Sequence, residues 1–170
     1  MHLPLPDRLT VGHEPLKLGI LVRFQVRQFM RQEILDFLNS EKVGCLAVEM
    51  LDGAPHGATL HYANTSEPLR FFFETNPDYR KAEALTGRPE SRATFVVTNE
   101  EEMKTLQLDG TVRLCSSEEN DTYQKVYFLK FPEKLGKWPY NLRFVFVPHW
   151  WRFTDWQSPS GKLILLSTDS

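Results

Sequence analysis

The sequence predicts a mainly β domain with helices: seven or eight short antiparallel strands curling into a small closed or partly closed barrel, beside two or three helices. Two observations carry this. Short segments of alternating apolar and polar residues recur between clusters of Gly, Pro, Asn, Asp and Ser. The segments follow one another in neighbouring pairs rather than alternating with helices, which argues against a parallel α/β sheet. Closing such a sheet leaves the fewest unpaired strand edges.

The elements run as follows. Residues 1–22 hold three prolines and two glycines and read as an irregular N-terminal arm. From Phe24 the spacing becomes helical, with Val26, Phe29, Met30, Ile34, Phe37 and Leu38 on one face. Cys45 to Leu51 is an apolar run broken only by Glu49 and reads as a strand buried on both faces. Asp52-Gly53 is a hairpin signal. Gly57 to Tyr62 is the return strand, with Ala58, Leu60 and Tyr62 opposite Thr59 and His61. Asn64 to Pro68 reads as a loop. Leu69 to Thr75 completes a three-strand meander.

Asn76 suits a helix N-cap and Pro77 a first helical position, so a short helix is expected through Tyr79, Ala82 and Leu85, stopped by Gly87 and Pro89. Arg80 and Lys81 stand near its start. Cations there oppose the helix dipole; the pair reads either as a solvated helix face or as an anion site in which a bound phosphate explains them.

Arg92 to Thr98 is the fourth strand. Thr105 to Leu114 is the cleanest, with Leu106, Leu108, Val112 and Leu114 inward and Gly110 marking a bend or bulge. Ser116 and Glu119 form a capping box for a helix from Ser117 to Leu129 with Tyr123, Val126 and Tyr127 on one face. Lys134 to Tyr140 is a loop carrying Trp138. Leu142 to Val147 is a strand ended by Pro148, Trp150 to Trp156 alternates again, and Lys162 to Leu166 is the last strand.

Composition narrows the function. The 170 residues make one domain, long enough to bury a core. A net charge of −2 argues against a general nucleic-acid binder. No apolar run reaches the ~18 residues of a membrane span, and the N-terminus lacks a signal-peptide pattern. Cys45 and Cys115 read as buried thiols in a reducing, cytoplasmic compartment. Phosphate-loop, dinucleotide-fingerprint and nucleophile-elbow motifs are absent. No metal site is expected: no cysteine pair has metal spacing, and His56 and His61 point to opposite faces of one strand. His61 and His149 read as structural side chains, and Trp150 and Trp151 as core or dimer-interface residues.

Several segments, in their order and spacing, resemble the pyridoxamine 5′-phosphate oxidase-like proteins. They are Gly44-Cys45-Leu46-Ala47-Val48, Asp52-Gly53-Ala54-Pro55-His56, Leu69-Arg70-Phe71-Phe72-Phe73-Glu74-Thr75, Tyr79-Arg80-Lys81-Ala82-Glu83-Ala84-Leu85, Arg92-Ala93-Thr94-Phe95-Val96-Val97 and Leu106-Gln107-Leu108-Asp109-Gly110-Thr111-Val112. The resemblance implies a six- to eight-stranded antiparallel split barrel with flanking helices over residues 23–170, and a homodimer with FMN in each interface cleft. It implies that Thr75, Arg80 and Lys81 hold the FMN phosphate, with Glu74 beside them. Thr59 and Leu60 would lie along the flavin ring, Thr105 would touch the ring or ribityl chain, and Arg152 and Trp156 would arrive from the other subunit. Ala58 and Ala63 stand where the oxidases carry basic residues, and the C-terminal Arg-Leu-x-Pro segment is missing. The chain thus resembles a divergent flavin-binding relative more than a true pyridoxamine phosphate oxidase. The implied function is a flavin-dependent oxidoreductase acting with a small-molecule substrate or electron donor. The alternatives are a non-enzymatic flavin-binding or stress-related protein, and a barrel holding deazaflavin, haem or no cofactor. No catalytic acid or base is assigned.

Overall fold

A computed structural model describes residues 32–167. The proposed arm and Val26, Phe29 and Met30 of the first helix lie outside the described residues. The helical residues 32–40 (α1) bring Ile34, Phe37 and Leu38 to the core. Eight strands follow: β1 Val43–Glu49, β2 Pro55–His61, β3 Ala63–Ser66, β4 Leu69–Thr75, β5 Ser91–Asn99, β6 Lys104–Leu114, β7 Leu142–Asp155 and β8 Leu163–Leu166. Helix α2 (Arg80–Thr86) joins β4 to β5, and α3 (Ser117–Lys130) with a 3-10 turn (Pro132–Lys134) joins β6 to β7. The strands form one curled antiparallel sheet, a half-barrel, in the order β2-β1-β5-β6-β7-β4-β3, with β8 on β7.

The barrel interior is apolar. Leu46 and Val48, Phe71 and Phe73, Phe95 and Val97, Leu106 and Leu108, and Phe144 and Phe146 point into it from five strands. Phe37 of α1 meets Phe153 edge-on at 5.5 Å. A second cluster forms outside the sheet, where Tyr123, Tyr127 and Phe131 of α3 and its C-cap cover Ala63, Phe72 and Val145. That explains why β4 carries three consecutive phenylalanines: Phe71 and Phe73 face the barrel while Phe72 faces α3. The capping box forms as expected: the Glu119 N–H donates to Ser116 Oγ at 3.2 Å and the Ser116 N–H to Glu119 Oε2 at 3.0 Å.

Four expectations are corrected. β1 is buried on one face only. Leu46 and Val48 enter the core, but Val43 and Cys45 lie on the exposed outer face, so Cys45 is not a buried thiol. Cys115 is half-buried, and burial pushes its thiol up to about 12. The meander does not form. Most of the segment read as a loop, Asn64 to Pro68, is instead strand: β3 runs over Ala63–Ser66. It pairs with β4, whose other edge joins β7 rather than β2. The third correction is that Pro148 does not end a strand; β7 runs through it for 14 residues.

The reason lies at Gly110. Asp109 opposes Trp150 while Gly110 opposes Pro148, so His149 is the extra residue of a bulge, and a proline is tolerated where the ladder is already interrupted. A Cβ on Gly110 would fall on the Val147 carbonyl oxygen and lie 2.8 Å from the Phe146 ring. Gly110→Ala is therefore expected to cost about 3 kcal/mol, the upper range for overpacking, because the clash is with backbone. Urea unfolding of variant and parent tests this; a loss under about 1 kcal/mol would show that the bulge relaxes.

Candidate functional site

The fourth correction concerns the β4–α2 turn. Asn76 does not cap the helix. Its side chain accepts from the Asp78 N–H at 2.8 Å, an Asx turn that holds Pro77 and Asp78 out of the helix. The helix begins at Arg80, with Tyr79 extended in the cap position. This shift separates the two cations. Arg80 projects to solvent, whereas Lys81 turns inward on the next residue and is 9% exposed. Its ammonium stands 4.7 Å over the Tyr79 ring. No carboxylate pairs with Lys81 among the described residues, and burial alone pushes its pKa down.

At the end of β4, Thr75 is buried and its hydroxyl oxygen has no hydrogen-bond partner among the described residues. A buried hydroxyl left unpaired costs about 1–3 kcal/mol. Thr75 and Lys81 line one open cleft of about 340 Å³, together with Thr59, Leu60, Glu74 and Asn76. Thus Thr59, Leu60, Glu74, Thr75 and Lys81 of the sequence-predicted set converge from β2, β4 and α2, and Arg80 stands outside the lining.

Sequence reasoning missed the opposite wall. Tyr127 of α3, Lys134 of the 3-10 turn, and Trp138 and Asn141 of the following loop line the same cleft. Lys134 Nζ donates to the Tyr127 hydroxyl at 3.1 Å and sits over the Tyr127 and Phe131 rings at 5.3 and 4.8 Å. His61 also lines the cleft; burial first, and the Lys134 charge second, lower its pKa, so the imidazole is neutral at pH 7. The available signal was a half-exposed Trp138 in a Gly- and Pro-bearing loop, a position where binding residues concentrate.

The remaining three candidates stand elsewhere. Thr105 of β6 pairs with Thr154 of β7, and Arg152 pairs with Gln107. The Arg152 Nε is buried without a hydrogen-bond partner. Trp156 is exposed, with Lys162 Nζ 3.4 Å above its ring. Thr75 opposes Leu142 at one end of β7, ten residues before Arg152, so about 30 Å of strand separates the two groups. A single chain does not bring Arg152 or Trp156 to the Thr75 cleft.

A larger open groove of about 520 Å³ lies by the β1–β2 turn and the β7 bulge, with Glu49, Arg92, Asp109 and His149 in its lining. Its charges are already satisfied: Glu49 pairs with Arg92 at 2.6 Å and Asp109 accepts from Thr94 at 3.0 Å. The Thr75–Lys81 cleft instead joins a buried hydroxyl and a buried ammonium that lack hydrogen-bond and carboxylate partners, respectively, among the described residues, which makes it the better ligand site.

The pyridoxamine 5′-phosphate oxidase family model matches residues 30–154. The chain belongs to that family. The match takes in β1 to β6, all of β7 but its last residue, and every residue that lines the cleft. No curated protein sequence matches. Among solved structures, the chain is similar to a protein related to general stress protein 26 from Clostridium acetobutylicum, with 15% identity, TM-score 0.58, and coverage of 79% of this chain and 92% of that one. It is also similar to a FAD-binding protein from Mesorhizobium loti, with 16% identity, TM-score 0.52 and coverage of 71% and 90%. A haem-binding protein from Mycobacterium smegmatis gives 12% identity, TM-score 0.60 and coverage of 78% and 57%. At such identities these likenesses speak for the oxidase-family fold alone.

Proposed function

We propose that the chain binds FMN in the Thr75–Lys81 cleft and acts as a flavin-dependent oxidoreductase. The observation that carries this reading is the orphaned, buried Thr75 hydroxyl sharing a cleft with a buried, unpaired lysine. A phosphate accepts from both, and both are costly to leave without it. Thr75 donates its O–H to a phosphate oxygen, Lys81 supplies the balancing charge, and Arg80 adds a screened one from solvent. Thr59 and Leu60 present backbone groups to the ring, and Tyr127 and Trp138 offer aromatic walls that exclude water. Bound flavin supplies the hydride- and electron-accepting centre.

The 30 Å between Thr75 and Arg152 along β7 supports a homodimer, because Thr105, Arg152 and Trp156 reach a cleft only from a second copy. Among the described residues no helix is long and apolar enough to cross a membrane, and the free Cys45 and Cys115 fit a reducing cytoplasm.

The visible spectrum of the protein after FMN addition and gel filtration tests the cofactor. Flavin bands at near one FMN per chain are the expected result; a colourless protein overturns the reading. A second reading, haem, is favoured by the neutral imidazole of His61 on the cleft wall, the form that ligates metal, together with the haem-binding structural neighbour. It requires a Soret band on haem addition that His61→Ala abolishes. Steady turnover of bound FMN with NADH or NADPH and an acceptor separates an oxidoreductase from a flavin-binding stress protein.

A further inference from the structure

The segment that ends α3 and leads into β7 holds apolar side chains out in solvent. Among the described residues, four of the twelve exposed large apolar side chains fall between residues 129 and 140: Leu129, Leu135, Trp138 and Tyr140, from 55% to 87% exposed. Their backbone is tied down. Phe131 is buried in the outer cluster, and Lys130 Nζ donates to the Leu38 carbonyl at 2.8 Å. Three turns follow, in which the N–H groups of Leu135, Lys137 and Asn141 donate to the carbonyls of Pro132, Lys134 and Trp138 at 3.2, 3.0 and 3.1 Å. The result is a fixed knuckle with apolar tips. It is also basic. From Lys125 to Arg143 the chain has Lys125, Lys130, Lys134, Lys137 and Arg143 against Glu133 alone, five cations minus one anion, or +4, whereas the whole chain carries −2. Lys125 and Lys137 are exposed. Glu41 acts on Lys130 and Glu74 on Lys134 from neighbouring elements, neither within ion-pair distance. The acidic Glu118, Glu119 and Asp121 sit at the far end of α3.

We propose that this knuckle docks on the surface of an anionic lipid bilayer. Leu135, Trp138 and Tyr140 enter the interfacial layer, the lysines meet the lipid headgroups, and no segment spans the membrane. Charge complementarity selects this occupant: a local excess of Lys and Arg is drawn to an anionic surface from a chain that is otherwise acidic. The residue types agree, because Trp and Tyr rings settle at the level of the headgroups, and Lys stems reach past apolar neighbours to keep their charge there. The shape agrees too. The apolar tips stand singly on a turn and line no groove of their own. A protein partner requires about 800 Å² of matched surface on each side, whereas fluid lipid accepts separate side chains without a fitted shape. Trp138 also lines the Thr75–Lys81 cleft, so docking brings the mouth of that cleft to the lipid surface.

The test sediments the full chain with vesicles of phosphatidylcholine alone and of phosphatidylcholine with about 30% phosphatidylglycerol, at low and at physiological salt. Binding to the anionic vesicles, with a blue shift of tryptophan emission, is the expected result, and binding to the neutral ones should be about tenfold weaker. Leu135→Ser combined with Tyr140→Ser removes two tips and no charge, and should weaken binding about tenfold. Lys125→Gln combined with Lys137→Gln should weaken it by a similar factor and reduce its salt dependence. All four side chains are exposed, so both double variants should unfold at the parent's temperature. A wild type that stays in the supernatant with anionic vesicles overturns the proposal. So does a Leu135→Ser, Tyr140→Ser variant that sediments like wild type, since the contact then lies elsewhere. Size-exclusion chromatography without lipid covers the remaining occupant: if the same variant falls to a smaller assembly than wild type, the knuckle is a contact between copies of the chain, and lipid docking is rejected.

Discussion

Lys81→Met is expected to lower FMN affinity about a hundredfold, or about 2.8 kcal/mol, and to leave riboflavin affinity unchanged. Lys81 is buried without a carboxylate partner among the described residues, so in the empty protein its charge is an uncompensated cost. Removing it should raise the unfolding temperature of the flavin-free protein. A lysine that merely packs would give the opposite sign. Thr75→Val, nearly isosteric, should lose about tenfold in FMN affinity because one phosphate donor disappears while the buried packing stays. Arg80→Ala should change it by less than about threefold, since its charge is screened by solvent. Fluorescence titration with FMN and riboflavin reads all three. If Lys81→Met weakens riboflavin as much as FMN, the phosphate is not at Lys81.

Glu119→Ala is expected to destabilise the domain by about 3 kcal/mol, a fall in Tm of roughly 10 °C. Glu119 is 6% exposed and ties three elements together. Arg113 of β6 donates to both its oxygens, at 2.6 and 2.8 Å, Arg70 of β4 donates at 3.0 Å, and the Ser116 N–H at the start of α3 donates at 3.0 Å. Alanine leaves two arginines and the helix start unpaired at once. The same contacts, led by the Arg113 hydrogen bonds, hold the Glu119 pKa down to about 2 from 4.5. A carboxylate lowered on folding stabilises the native state above its unfolded pKa. That contribution is fully present above about pH 4.5 and is lost as pH falls towards 2. Glu119→Gln should therefore flatten the acid limb of the stability–pH profile. Chemical unfolding at pH 7 and at pH 3 measures both effects. An equal deficit at the two pH values would show that the acid sensitivity arises elsewhere.

These two predictions draw on different kinds of legibility. The capping box of Ser116 and Glu119 was readable because both partners lie within one turn. That the same carboxylate also clamps Arg70, 49 residues earlier, was not readable, because the partner is delivered by the β4–β7 pairing. Similarly, Thr75 and Lys81 were legible as a short strand-turn-helix segment, but their placement relative to Arg80 was not. The helix start shifted from Pro77 to Arg80 because Asn76 spends its side chain on the Asp78 N–H. Lys134 and Trp138 carry no local motif and belong to the cleft only because α3 packs on the outer face of β4.

By itself, then, the sequence determined the strand segments, the two later helices, the bulge at Gly110 and the cationic turn after β4. Each rests on interactions between near neighbours: side-chain period, cap chemistry and the lack of a Cβ. Tertiary structure alone decided the strand order, the polar strand β3, the passage of β7 through Pro148, the exposure of Cys45 and the second wall of the cleft. Those outcomes depend on which edge finds which partner across long separations. Strand edges offer the same N–H and C=O groups everywhere, so the choice is made by the burial that each pairing allows.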